Sequence, residues 1–251
     1  MGKLKQKPDA TTHFGFRTVD AKAKAPLVRQ VFDSVAGRYD LMNDLMSLGV
    51  HRAWKRAMID VLRPRPEQTY LDIGGGTGDI AFLWRAAGGG PVTVVDANPN
   101  MIAVGRERAT QRKIEGIAWT VGDAEALDFK DRSFDVAGSA FCLRNVTHLD
   151  RALSEAFRAL KIGGRFVCLE FSRLALPGLD KLYDAWSFKV LPALGEKIAD
   201  DRAAYQYLAE SIRRFPPQDT FAAMLKGAGF ERVGYRNLTG GIAALHWGWR
   251  L

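Results

Sequence analysis

The sequence predicts an α/β protein built on a doubly wound, mainly parallel sheet. Three observations carry that prediction. From Thr69 onward, short apolar runs alternate with stretches whose apolar residues recur at helical spacing. The first run flows straight into glycines, in "TYLDIGGGTGD". Acidic residues close the next two runs, at Asp96 and Asp123, where an open α/β sheet presents its ligand crevice.

Between Ala25 and Leu62 apolar residues fall at helical spacing: Val28, Val31, Phe32 and Val35, then Met42, Leu45 and Met46, then Trp54, Met58 and Leu62. This predicts an N-terminal helical lid over 25–66, ended by the breaker "RPRPEQ". The first strand lies in "TYLDI", and Ile80–Ala87 reads as a helix stopped at "GGGP". "VTVVDANP" is a second strand, with a helix over Met101–Arg112 after it. "GIAWTVGDAEAL" is a third strand with a polar exit, and "SFDVAGSAFCL" a fourth. Arg151–Leu160 reads as a helix closed by "KIGG", with Gly163 in the place of a C-terminal helix glycine. "RFVCLEFS" is a fifth strand. Residues 173–217 then interrupt the rhythm with an aromatic-rich insertion. A helix near Asp219–Ala228 follows, then two strand-like runs, "ERVGYRNLT" and "IAALHWGW". A hairpin at Gly240-Gly241 joins these runs, so the last strand is antiparallel to the rest. The expected domains are a basic flexible arm (1–24), the helical lid (25–66) and one α/β domain (67–251) that includes the insertion.

Composition narrows the function classes. The chain is 47% hydrophobic and 25% charged, ordinary for a globular protein. No run of about 20 apolar residues suggests a membrane span, and the N-terminus lacks the apolar core of a secretory signal. Cys142 and Cys168 read as buried free thiols, and four scattered histidines give no metal site. The net charge is +8, and the first 24 residues hold six basic side chains against two acidic ones. Such an arm suits an anionic surface or plain solvation. No RNA-binding signature accompanies it, so nucleic acid is not an expected partner.

The glycine turn carries the chemistry. Glycines stand at 74, 76 and 78, whereas a dinucleotide fingerprint needs one at 79, where this chain has Asp79. The tighter spacing lets backbone approach a ligand without Cβ atoms intervening. Asp72 beside it suits a cationic ligand better than a phosphate. S-adenosylmethionine, which carries a sulfonium and an ammonium and no phosphate, is such a ligand. Asp96, 18 residues after Gly78 and followed by Ala97, is placed for both ribose hydroxyls. Asp123-Ala124 is placed for the adenine edge. Asp72, Gly74, Gly76, Thr77, Gly78, Asp96, Ala97, Asp123 and Ala124 are the expected cofactor contacts.

Longer motifs carry a resemblance. "YDLMNDLMSLGVHRAWK", "LRNVTH", "LEFS" and the tail "YLAESIRRFPPQDTFAAMLKGAGF…NLTGGIAALHWG" are similar to the UbiE/COQ5 group of quinone-biosynthesis C-methyltransferases, from about Thr12 to the C-terminus. The resemblance implies a class I methyltransferase fold of about seven strands. It implies methyl transfer from S-adenosylmethionine to a ring carbon of a polyprenylated quinol, giving a ubiquinone precursor, menaquinone or both. Thr77, Asp96, Asp123 and Ala124 fall on the family's cofactor contacts. The chain departs from the family pattern in Ala140 for a serine, Cys142 for a glycine, His148 for an aspartate, and Gly-Gly-Gly-Thr for Ala-Gly-Gly-Thr. A methyl-accepting ring carbon needs an ionised neighbouring oxygen. Arg144 is expected to stabilise that oxygen and Asn145 to fix the ring. Asp123, a water, Tyr39 and His51 stand as alternatives for the proton acceptor.

The Tyr39–Lys55 segment is expected to cover the cofactor, with Tyr39, Asn43, Met46 and Trp54 against substrate. Tyr183 and Tyr205 of the insertion are expected to form the opposite wall. A prenyl tail implies peripheral membrane contact, and the aromatic insertion leaves a homodimer open. Because the resemblance begins near residue 12, a bacterial cytoplasmic protein without a transit peptide is expected. Two other readings stay open: a cofactor-binding scaffold of a quinone-synthesis complex, and an RNA methyltransferase.

Overall fold

A computed structural model describes residues 10–35, 44, 47, 49–174, 193, 196 and 201–251. Seven strands form one sheet: β3 (Tyr70–Ile73), β4 (Val92–Asp96), β5 (Ile117–Val121), β6 (Phe134–Ala140), β7 (Leu160–Phe171), β8 (Glu231–Leu238) and β9 (Ala243–Trp249). Their order is β5-β4-β3-β6-β7-β9-β8. The strands from β3 to β7 pair in parallel, and β9 runs antiparallel to both β7 and β8. The reversal occurs at Thr239–Gly241, where Gly240 and Gly241 take φ of 67° and 98°, a region open to glycine at no steric cost.

The unbroken apolar run at β3 has a simple cause: all four residues are buried, because helices cover both faces of the sheet. Side chains alternate between the two layers. Tyr70 joins one core with Trp54, Met58, Trp84 and Leu208, and Leu71 joins the other with Leu153, Phe166 and Phe221. The first layer is made by α2 (His51–Leu62), α3 (Asp79–Ala86), α4 (Pro99–Gln111) and α6 (Arg202–Arg214). The second is made by α5 (Leu149–Ala159) and α7 (Gln218–Gly227). No helix among the described residues is long and apolar enough to cross a membrane.

The expected flexible arm is structured from residue 10 onward. Strands β1 (Thr11–Phe14) and β2 (Arg17–Asp20) form a hairpin around Gly15, whose φ is 58°. Threonines and Val19 favour the strands, and the glycine supplies the left-handed turn that a two-residue hairpin needs. The run is short and polar, so its alternation is faint in sequence. Helix α1 (Ala21–Val35) follows at once, four residues earlier than expected.

Two other expectations are corrected. Within the expected lid, α2 is a core helix: Trp54, Met58 and Leu62, four residues apart, are at most 3% exposed. The stripe that suggested a wall for substrate is wide enough to bury against the sheet. Gly163 does not cap α5, because Leu160 already has strand geometry. Gly163 (φ 82°) lies instead in an irregular stretch of β7, and its N–H donates to the Arg250 carbonyl at 2.6 Å.

Trp84 anchors the first layer. It is fully buried, stacks on Tyr70 with centroids 4.6 Å apart, and donates through Nε1 to the Gly90 carbonyl at 3.0 Å. Trp84→Ala is expected to cost about 3–5 kcal/mol of stability, measured as a lowered urea midpoint with the slope unchanged.

Candidate active site

The site is assembled at the C-terminal ends of β3, β4, β5 and β6, where the strand order reverses between β3 and β6. The glycine turn after β3 is tied to β4. The Gly74 and Gly75 N–H groups both donate to the Val95 carbonyl, at 2.7 and 3.3 Å. The Gly76 N–H donates to Asp96 Oδ2 at 2.9 Å. These amides are therefore engaged within the protein and do not form a cradle for a phosphate. Packing, rather than a phosphate, requires the glycines here. A Cβ on Gly74 would lie 2.0 Å from Cys142 Sγ, and one on Gly78 would lie 2.5 Å from the Trp119 ring.

Asp96 is fixed from two sides, its other oxygen accepting the Asn98 N–H at 2.8 Å. Burial raises its carboxyl above the usual range, and the two amide donors oppose that rise. Asp96, Ala97, Asp123, Ala124 and Gly74 line one cavity of about 620 Å³, within the range of small-molecule sites. Asp123 Oδ1 accepts the Glu125 N–H at 2.9 Å, which sets the turn after β5.

Helix α1 covers this cavity with Ala25, Val28 and Phe32. Three polar links hold it there. Lys24 donates to the Val146 carbonyl at 2.6 Å, Arg29 to the Ala97 carbonyl at 3.2 Å, and Asn98 Nδ2 to Asp33 at 2.9 Å. Burial lowers the Lys24 ammonium to about 8, with Glu125 pulling the other way.

A second, smaller cavity opens behind the turn, between Lys55, Asp72 and Thr77; Gly74 and Phe141 line both cavities. Asp72 is fully buried. Its Oδ1 accepts the Tyr70 hydroxyl at 3.3 Å, and its Oδ2 has no hydrogen-bond partner among the described residues. Burial pushes this carboxyl up to about 7. Thr77, 3% exposed, accepts from Arg108, which also meets Asp79 at 2.9 Å. Lys55 meets the other Asp79 oxygen at 2.6 Å.

After β6 the chain turns at Phe141, a non-glycine residue at φ 57°, into a 3-10 turn over Leu143–Asn145. Such a conformation persists only where its surroundings enforce it. The expectation that Arg144 faces the ligand is corrected. Its side chain is 1% exposed and meets Glu170 Oε2 at 3.1 Å, also bonding the Phe141 carbonyl and lying over the Phe171 ring at 5.5 Å. Glu170 also accepts the backbone N–H groups of Arg144 and Phe171. The next residue, Asn145, lines the large cavity, and its Oδ1 accepts the Tyr207 hydroxyl at 3.0 Å.

Other expected contacts fall elsewhere. Trp54 is in the core, donating to Thr239 Oγ1 at 2.8 Å with its ring edge against Phe171. Tyr205 is 1% exposed and also belongs to the core. His51 is buried, bonded through Nε2 to Asp44 at 2.9 Å, and lines neither cavity. Both Trp54 and Tyr205 were expected as walls because aromatic character cannot distinguish a ligand wall from a sheet-packing face. Gly76, Thr77 and Gly78 shape the turn from behind the large cavity. Tyr39, Asn43, Met46 and Tyr183 lie outside the described residues. The cover by α1 falls within the expected helical lid of 25–66. Sequence reasoning missed the Glu170 partner of Arg144 and the bond from Tyr207 to Asn145, although "LEFS" held the acidic signal.

The sheet order, the glycine turn and the acidic strand tips define a class I methyltransferase fold. Solved structures agree on the fold. A methyltransferase from Thermotoga maritima, described as a possible histamine N-methyltransferase, matches with a TM-score of 0.63 at 22% identity, covering 88% of this chain and 99% of that one. Phosphoethanolamine N-methyltransferase 2 of Haemonchus contortus, solved with S-adenosylmethionine, matches with a TM-score of 0.59 at 19% identity over 79% of this chain and 52% of that one.

The sequence goes further: residues 18–250 match the ubiE/COQ5 methyltransferase family, and the chain belongs to it. The ubiquinone/menaquinone biosynthesis C-methyltransferase UbiE of Acidiphilium cryptum is 60% identical, over 96% of this chain and 97% of that protein. The protein of the same name from Brucella abortus strain S19 is 56% identical, over 95% and 90%. The chain is a methyltransferase dependent on S-adenosylmethionine.

Asp72 generates a pH prediction. Its folded value, about 7, lies above the ordinary 3.8. Between these values the folded state keeps a proton that the unfolded state has lost, so the Asp72 contribution to the stability of the ligand-free protein falls as pH rises from about 4 to 7, then levels. The contribution is at most about 4 kcal/mol. Asp72→Asn removes this slope and raises stability at pH 8 relative to wild type, as read by urea unfolding at pH 5 and pH 8.

Proposed function

We propose that this chain transfers the methyl group of S-adenosylmethionine to a ring carbon of a polyprenylated quinol, in the formation of ubiquinone, menaquinone or both. The observation that carries the reading is the large cavity. It brings a fixed ribose-type carboxylate, Asp96, together with an apolar helix face and a side-chain amide at Asn145. The extent of the relatives supports it, since they match the C-terminal third as well as the cofactor half.

The residues fit the methyl donor. Asp96 offers carboxylate oxygens for ribose hydroxyls, and Asp123-Ala124 borders the adenine end of the same cavity. The unpartnered Asp72 Oδ2 suits the donor's ammonium, and Lys55 in the same small cavity suits its carboxylate. Gly74 lines both cavities and so lies where the two meet. When bound, the donor supplies an electrophilic methyl on a positively charged sulfur.

The remaining work falls to the chain: alignment, exclusion of water, and stabilisation of an ionised ring oxygen. Ala25, Val28 and Phe32 of α1 provide a dry cover. Asn145 faces the oxygen side. Arg144, clamped by Glu170, fixes the turn that carries Asn145. Because a prenylated substrate partitions into the bilayer, the protein meets it at the membrane surface. The net charge of +8 favours anionic lipid there.

The test is incubation with methyl-labelled S-adenosylmethionine and either a demethylnaphthoquinol or a methoxybenzoquinol. Label in the ring of one or both is expected; tight donor binding with no transfer to either would make the chain a scaffold. Asp96→Ala is expected to weaken donor binding by roughly 100-fold, the worth of two hydrogen bonds to a charged acceptor, measured by titration calorimetry.

A further inference from the structure

We propose that Tyr207 is a positioning residue for the methyl acceptor: its hydroxyl holds the Asn145 amide so that the amide nitrogen faces the cavity and donates to a ring oxygen. The inference rests on the reading of the chain as a quinol C-methyltransferase.

A side-chain amide has one accepting oxygen and one donating nitrogen. At Asn145 the oxygen is already taken by the Tyr207 hydroxyl, at 3.0 Å. What remains to face the cavity is the donor. The reversed amide would turn a lone pair toward an anionic ring oxygen and repel it. Arg144, the neighbouring cation, does not take this place: its side chain is 1% exposed, paired with Glu170, and does not line the cavity.

Tyr207 is itself held. It is 4% exposed, and its ring stacks on Phe14 of β1 with centroids 4.2 Å apart and planes 18° from parallel. One turn further along α6, Glu210 accepts the Phe16 N–H at 2.9 Å, fixing the same hairpin. Burial holds the phenol well above the ordinary tyrosine range, so it remains a donor at neutral pH. A donor fixed before the reaction needs no reorganisation as charge develops on the acceptor.

Tyr207→Phe keeps the ring and its stack and removes only the hydroxyl. Its kcat for quinol methylation is expected to fall about tenfold or more, with the Kd for S-adenosylmethionine and the melting temperature close to wild type. Asn145→Ala and the double variant Asn145→Ala/Tyr207→Phe are expected to lose activity to the same extent, as for residues acting through one group. Asn145→Asp, with Tyr207 intact, is expected to fall below Asn145→Ala and to recover partly at acid pH. Wild-type kcat in Tyr207→Phe, multiplicative losses in the double variant, or a loss confined to donor affinity would each overturn the inference alone. A wild-type protein that binds the donor yet methylates neither quinol overturns the functional reading, and this inference with it.

Discussion

The end of β4 governs the site. The Val95 carbonyl and the Asp96 carboxylate together take three successive amides of the glycine turn. This one capture sets the path of the chain after β3 and spends the donors that would otherwise attract a phosphate. It also holds the Asp96 carboxylate at a defined place on the cavity wall. The remaining strand tips add function to that frame. The turn after β5 lends Asp123, and the strained turn at Phe141 lends Asn145.

Around this frame the protein keeps several charges out of water, each with compensation. Arg144 and Glu170 are both nearly inaccessible, and Glu170 collects backbone as well as guanidinium donors. Asp79 takes Lys55 on one oxygen and Arg108 on the other. Pairs of this kind add little net stability compared with apolar residues of the same shape, but losing one partner is costly. Their value here is directional: they fix the glycine turn and the 143–145 turn from behind. Asp72 differs, because one of its oxygens has no partner among the described residues.

Most of the fold was legible because its signals are local. Apolar runs covered on both faces, glycine punctuation and acidic strand exits mark β3 to β7, and Gly240-Gly241 marks the final reversal. That Asp96 and Asp123 share one cavity was legible for the same reason, since they occupy equivalent places at neighbouring strand ends. The aromatic residues were less so. Trp54 and Tyr205 carry the chemistry of a hydrophobic wall, and only the packing of α2 and α6 shows that the sheet, not a ligand, takes those faces. The link from Tyr207 to Asn145 spans 62 residues, and nothing in local spacing announces it. Arg144 was visible as a cation, but its commitment to Glu170 depends on two adjacent strand ends that only the folded sheet brings together.

The hairpin of residues 11–20 lies outside the alternating α/β pattern, and a designer trimming the chain to its recognisable domain would discard it. Yet its Phe14 rests on α6, and α1, which it leads into, roofs the large cavity. A shortened chain starting at the first strand of the sheet would retain the glycine turn and its carboxylate while losing the ceiling over both. The cavity would then be left open to solvent, and the cause would lie in the segment whose composition resembles a dispensable tail.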